Sequence, residues 1–94
     1  MSLTKLDLAN AVYRSLDSSR SDAAAMVDEV FELIRNQLES GETVKLPGFG
    51  NFQVRRKSAR RGRNPKSGEE VEISARRVVT FKPSAILRKR VNNA

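Results

Sequence analysis

Residues 52–81 read FQVRRKSARRGRNPKSGEEVEISARRVVTF. At one end Phe52 and Val54 alternate with polar residues, and at the other Val71, Ile73, Ala75, Val79 and Phe81 share one parity. A period of two is the mark of a strand with one buried face. Arg77 falls on the same parity, which marks where the strand passes from one environment to another. Between the runs, Asn64-Pro65-Lys66-Ser67 suits a type I turn with Pro65 at its second position, and Gly68 can supply a positive φ. The stretch therefore predicts a hairpin whose base packs in a core and whose polar tip projects. From Arg55 to Glu70 the chain has about eight residues per strand, a reach on the order of 25 Å.

Outward from the hairpin the periodicity changes. Before it, "TVKL" is a short strand and "PGFG", Pro47 to Gly50, a turn. Earlier still, Leu6, Ala9, Val12, Tyr13 and Leu16 lie on one helical stripe, started by Thr4 with Asp7 in capping-box spacing. A second helix, capped by Ser19 or Ser21, runs to about Ser40, with Gly41 as its stop. Its apolar positions (Ala23, Met26, Val27, Val30, Phe31, Leu33, Ile34, Leu38) cover more than one face. A helix wetted on one side needs only about three apolar positions per two turns, so the excess predicts burial against a second chain. Pro83 and Ser84 open a short final helix anchored by Ile86, Leu87 and Val91. The order predicts an α+β fold: two N-terminal helices, a three-stranded antiparallel sheet with a long projecting hairpin arm, and a short C-terminal helix. The 94 residues form one domain, with a helical base over 1–41, the sheet over 42–82 with its arm at about 55–72, and the last helix over 83–94.

Charge divides this domain. Residues 1–41 carry four basic and seven acidic groups, a net of −3, whereas residues 42–94 carry fourteen and four, a net of +10. A polyanion is the partner such a cationic half suits. The chain has no cysteine and no histidine, which removes the usual zinc and iron ligand sets and the nucleophilic triads. No signal peptide and no membrane-spanning run is visible, so the sequence predicts a soluble, cytosolic protein without a small-molecule substrate or cofactor.

A run of charge is ordinarily a solvated loop. Three features favour a binding surface here. Seven cations (Arg55, Arg56, Lys57, Arg60, Arg61, Arg63, Lys66) occur with no acid among them, and they sit on strands that the flanking alternation supports. Arginine also outnumbers lysine, which suits forked contacts to phosphate and base edges. A two-stranded ribbon fits a DNA groove, and at its tip Pro65 becomes an apolar wedge for a base step.

The motifs "GFGNF", "GRNPKSGEEV" and "ARRVVTFKPS" resemble the bacterial HU and integration host factor family, in the same order and spacing over essentially the whole chain. "ARRVVTF" resembles the alpha-subunit branch of integration host factor more than HU. The resemblance implies an intertwined dimer, of two copies or of this chain with a related subunit. Its helices form a base, and its two arms wrap double-stranded DNA in the minor groove and bend it. It implies a nucleoid protein supporting compaction, recombination, replication and transcription. Pro65 matches the intercalating proline, Arg60, Arg63 and Lys66 the arm residues lining the groove, with Asn64 between them at the tip, and Arg76 the arm's root. Arg61 departs from the pattern, because related arms often carry a proline or an uncharged residue there; an extra cation should raise nonspecific affinity.

Secondary DNA contacts are expected on the body. "GFGNF" lacks the third glycine of a dinucleotide loop and reads as a tight turn. The turn at Pro47 and Gly48 can hold a phosphate through its backbone amides, of which Pro47 itself has none, with Lys45 nearby; the family resemblance implies a DNA-backbone contact there. The helix starts at Thr4-Lys5 and Pro83-Ser84 suit phosphate too, with Lys82 alongside. Arg88, Lys89 and Arg90 are equally a solvated helix end. Asp28, Glu29 and Glu32 read as ordinary surface charge on a helix. An RNA-binding or ribosome-associated module is the alternative, although the arm has no aromatic residue for base stacking. A nuclease would need metal-binding acids near the cationic half, where only Glu42, Glu69, Glu70 and Glu72 are available.

Overall fold

The computed structural model describes residues 1–94. Helix α1 (Lys5–Ser15) starts where Thr4 Oγ1 accepts from the Asp7 amide at 3.2 Å and the Asp7 carboxylate accepts back from the Thr4 amide at 2.9 Å. Asp therefore fills the capping-box place of Glu. The Thr4 amide, and after it the Thr4 hydroxyl, holds the Asp7 carboxyl below its ordinary 3.8. Helix α2 (Arg20–Glu39) is capped by Ser19 rather than Ser21, with the Asp22 amide donating to Ser19 Oγ at 3.1 Å. The Arg20 guanidinium lies 4.5 Å from the centre of the Tyr13 ring and braces the two helices at their connection. Their contact is built on small side chains. Ala9, Ala23 and Val27 are the buried apolar residues of the whole chain.

The sheet has the order β1 (Val44–Leu46), β2 (Gly50–Lys57), β5 (Arg76–Pro83), all antiparallel. Beyond it stands a separate ribbon of β3 (Arg60–Arg63) and β4 (Glu70–Ile73). The α+β order is as expected, but the long hairpin is divided where the alternation predicted two unbroken strands. Lys57 pairs Arg76 and Arg60 pairs Ile73, so Ser58-Ala59 and Ser74-Ala75 are left unpaired. Each strand skips two residues, and the register resumes without a slip. The body sheet thus includes Arg55–Lys57, and the free ribbon begins at Arg60. Helix α3 (Ala85–Asn92) follows, capped by Ser84, whose amide donates to Phe49 O at 2.9 Å. No helix is long and apolar enough to cross a membrane.

One chain alone does not close a core. Its accessible surface is 8079 Å², whereas a folded monomer of this mass exposes about 5,400 Å². Its radius of gyration is 18.8 Å, against about 12 Å for a compact domain of this length. The projecting ribbon accounts for part of the excess. Apolar side chains on the helices account for more: Leu16, Met26, Val30 and Leu33 are all exposed. Between α1 and α2 lies an open apolar groove of about 410 Å³ lined by Leu8, Val12, Leu16, Met26, Val30 and Phe31, among others.

Candidate nucleic-acid interface

Residues paired directly across an antiparallel sheet point to the same face. The pairings Lys45↔Asn51, Asn51↔Lys82, Gln53↔Thr80, Arg55↔Val78 and Lys57↔Arg76 therefore define one face of the body sheet. It carries five exposed cations, Lys45, Arg55, Lys57, Arg76 and Lys82, and no carboxylate. The opposite face is set by Phe52↔Phe81, Val54↔Val79 and Arg56↔Arg77. Its aromatic packing has Phe81 ring-to-ring with Phe52 at 4.8 Å and with Phe49 at 5.3 Å. Arg56, grouped by sequence with Arg55 and Lys57, is separated from them by the pleat and lies on the helix side.

The ribbon repeats this division. Arg61, Arg63, Glu70 and Glu72 share one face, because Arg61 pairs Glu72 and Arg63 pairs Glu70. Arg61 Nη1 also sits 3.6 Å from Glu70 Oε2. The outgoing strand carries cations without acids, but folding lays the acidic return strand beside it. Residues 55–72 hold seven cations and three carboxylates, a net of +4. Arg61 is thus a partly neutralised cation and not a simple addition to the positive field. The other face holds Arg60, Gly62, Val71 and Ile73. A Cβ at Gly62 would stand 2.9 Å from Ile73 Cδ1, so the absent side chain is what lets Ile73 lie flat across a thin ribbon.

The tip is built by Asn64. Its carbonyl accepts from the Gly68 amide at 2.7 Å, its amide donates to Glu69 O at 2.8 Å, and its side-chain Oδ1 accepts from the Lys66 amide at 2.9 Å. The loop therefore closes on Gly68, one residue beyond a four-residue turn ending at Ser67, and Gly68 takes the expected positive φ of 72°. Asn64 is occupied in holding the turn. Pro65 and Lys66 stand exposed at the end of the ribbon, as do Arg60, Arg61 and Arg63 along it.

On the body, the Leu46–Phe49 turn is closed by the Phe49 amide donating to Leu46 O at 3.0 Å. The bond from the Ser84 amide to Phe49 O brings Pro47, Gly48, Lys82 and Ser84 into one neighbourhood. The Ser84 hydroxyl is committed to its cap, accepting from the Leu87 amide at 3.0 Å. Lys5 is elsewhere, on α1, with its Nζ 2.8 Å from Asp28 Oδ1. That hydrogen bond, with the charge behind it, holds the Asp28 carboxyl below 3.8. No three acidic side chains gather as a metal-binding group. Two contributions escape a reading in chain order: the acids at Glu70 and Glu72, and Arg77, whose Nη2 donates to Glu39 O. Counting outward from the midpoint between Lys66 and Ser67 along both strands finds the first; only the tertiary fold reveals the second.

The sequence model of the family described as "Bacterial DNA-binding protein" matches residues 3–92. The integration host factor alpha subunit of Aliivibrio fischeri is 57% identical over 93 residues, covering 99% of this chain and 95% of that protein. The alpha subunit from Vibrio cholerae is 56% identical with the same coverage. Among solved structures, the Anabaena HU–DNA cocrystal structure superposes with a TM-score of 0.82 at 36% identity, covering 98% of this chain and all of that one. A mutant of Thermotoga maritima HU gives 0.66 at 25% identity, covering 95% and 99%.

Proposed function

As the chain belongs to the bacterial DNA-binding protein family, we propose that it is an architectural protein that grips duplex DNA and bends it without catalysis. The working unit is a dimer, of two copies or of this chain with a related subunit, and its place in the cell is the nucleoid. The observation that carries the reading is a thin cationic ribbon ending in exposed Pro65, raised from a body whose open sheet face holds five cations and no carboxylate. The likeness to a DNA-bound HU structure supports the same partner. The exposed apolar helix faces support pairing, since a second chain is what completes the core.

In this mechanism the sheet face neutralises phosphates under the duplex through Arg55, Lys57, Arg76 and Lys82, with Lys45, Pro47, Gly48 and Ser84 as further backbone contacts and Lys5 at the α1 start. The arms follow the minor groove, lined by Arg60, Arg63 and Lys66. Pro65 has no amide hydrogen and presents a flat apolar ring, so it enters a base step as a wedge. Unstacking costs about a few kcal/mol per step, offset by the phosphates that bent DNA brings onto the cationic flanks. Selectivity then follows groove width and deformability more than base-edge hydrogen bonds.

Energy transfer between dyes on the two ends of a duplex tests this directly. Addition of the protein should raise transfer, and structured RNA should compete less well than nicked or bent duplex. A preference for the RNA, or binding without any rise in transfer, would overturn the assignment.

A further inference from the structure

We propose that Arg77 is a positioning residue that fastens the root of the arm to the end of α2 and so sets the angle at which the arm leaves the body. The last carbonyls of a helix have no partner within it and must find donors elsewhere. At the end of α2 most are served locally. Asn36 O accepts from the Ser40 amide at 3.1 Å, Leu38 O from Gly41 at 3.0 Å and Gln37 O from Glu42 at 2.9 Å. Gly41, with φ 88°, makes the left-handed step that this Schellman arrangement requires. Glu39 O is left over, and α2 has no basic residue in its last turn. Arg77 supplies both the donor and the charge, its Nη2 lying 2.6 Å from Glu39 O across 38 residues of sequence. A cation at this point also faces the negative end of the helix dipole.

The position of Arg77 on its strand gives the bond a mechanical meaning. Arg77 pairs Arg56, one rung below Lys57↔Arg76, the last rung before the break at Ser58-Ala59 and Ser74-Ala75. Two arginines directly opposite on one face repel. Drawing Arg77 to the helix end relieves that repulsion. Its stem crosses a cleft of about 450 Å³ between α2 and the sheet, lined also by Arg35, Leu38, Val54 and Val79. A single guanidinium therefore ties the arm's root to the helices, one rung below the last paired rung before the interruption.

The functional half of this inference rests on the DNA-bending reading, so the test has one arm without DNA. Arg77→Ala and Arg77→Lys would be compared with the unaltered protein. In free protein, Arg77→Ala should speed amide exchange at residues 38–42 about tenfold, the loss expected for one charge-assisted hydrogen bond. With duplex, it should shift or broaden the end-to-end transfer distribution while leaving the slope of log K against log salt unchanged. Arg77→Lys, which keeps a donor and a charge, should restore both. A slope shallower by about 0.9 with exchange unaltered would make Arg77 a phosphate ligand and overturn the proposal. Faster exchange with unaltered bending would reduce Arg77 to a helix cap and overturn its part in setting the arm. Failure of the unaltered protein to bend DNA would instead sink the DNA-bending reading, with exchange still deciding whether the anchor exists.

Discussion

Val30→Ala should weaken the pairing of two chains about twentyfold while leaving each helix able to form. Val30 lies on α2 in the apolar groove, and 54% of its surface is exposed in the single chain. The change removes two methyl groups, worth about 0.8 kcal/mol each when fully buried. Scaling by the exposed share leaves about 0.9 kcal/mol per chain for a partner to bury, or about 1.7 kcal/mol in a symmetric pair. At 1.4 kcal/mol per tenfold, that is about a twentyfold rise in the dissociation constant. Alanine is the best helix former, so the substitution does not unwind α2. Val30→Asp adds an unpaired carboxylate to the same surface and should prevent pairing at ordinary concentrations.

The assay is sedimentation together with urea unfolding at several chain concentrations. Where folding and pairing are linked, the midpoint rises with concentration, and Val30→Ala should displace the whole series downward. A species of 10.5 kDa with full helical signal and a concentration-independent midpoint would refute the reasoning. It would mean that the exposed helix faces are covered by nothing and tolerated in water.

Pro65→Ala leaves every hydrogen bond of the tip in place, since Asn64, Lys66, Ser67, Gly68 and Glu69 supply them all. It should therefore cut the bending signal strongly while changing low-salt affinity by less than about threefold; equal losses in both would make Pro65 a turn former only. Glu70→Gln frees Arg61 of its partner at 3.6 Å and should raise low-salt affinity by about two- to threefold, as expected for an exposed pair, whereas an unchanged or weaker affinity would place that face of the ribbon away from DNA. Asp7 and Asp28 both have carboxyl pKa values depressed below 3.8, Asp7 by Thr4 and Asp28 by Lys5. Their stabilisation is present above 3.8 and is lost as pH falls through the depressed values, so helix α1 should loosen in acid below that point. Asp7→Asn should remove part of this acid transition in a helical-signal titration, and an identical curve would deny Asp7 its role.

The elements that sequence makes legible are those fixed by neighbours in the chain. Thr4 with Asp7, Ser19 with Asp22, and Ser84 with Leu87 each bound a helix within three residues. The tip is similar, since Asn64, Pro65 and Gly68 carry their own turn chemistry. The break in the hairpin is different. Serine and alanine at 58–59 and 74–75 neither forbid a strand nor announce its end, and an interruption equal on both sides leaves the alternation undisturbed. The cations of the candidate site are legible as a count and, strand by strand, by parity, but which of them lie opposite one another or an acid depends on register. Arg56 and Arg77 leave the cationic face by that parity, although nothing distinguishes them from Arg55 and Arg76 in composition.

That division explains how so small a chain can carry so much charge. If all seven cations from Arg55 to Lys66 shared one surface, their mutual repulsion would oppose the hairpin that displays them. The pleat sends alternate residues to opposite faces, Glu70 and Glu72 face Arg63 and Arg61, and Arg77 discharges against the carbonyl end of α2. Arg56 stands unpaired on the helix side; the other unpaired cations of the sheet and arm are concentrated at Arg55, Lys57, Arg76, Lys82 and Lys45 on the body and at Arg60, Arg63 and Lys66 on the arm, where Arg61 is the ion-paired one. These are the places where a polyanion gains most, because no carboxylate must first be displaced. The acids on the arm are thus part of the binding design. On the proposed mechanism they let the ribbon stay paired in the absence of DNA while leaving Pro65 and Lys66 free to meet it.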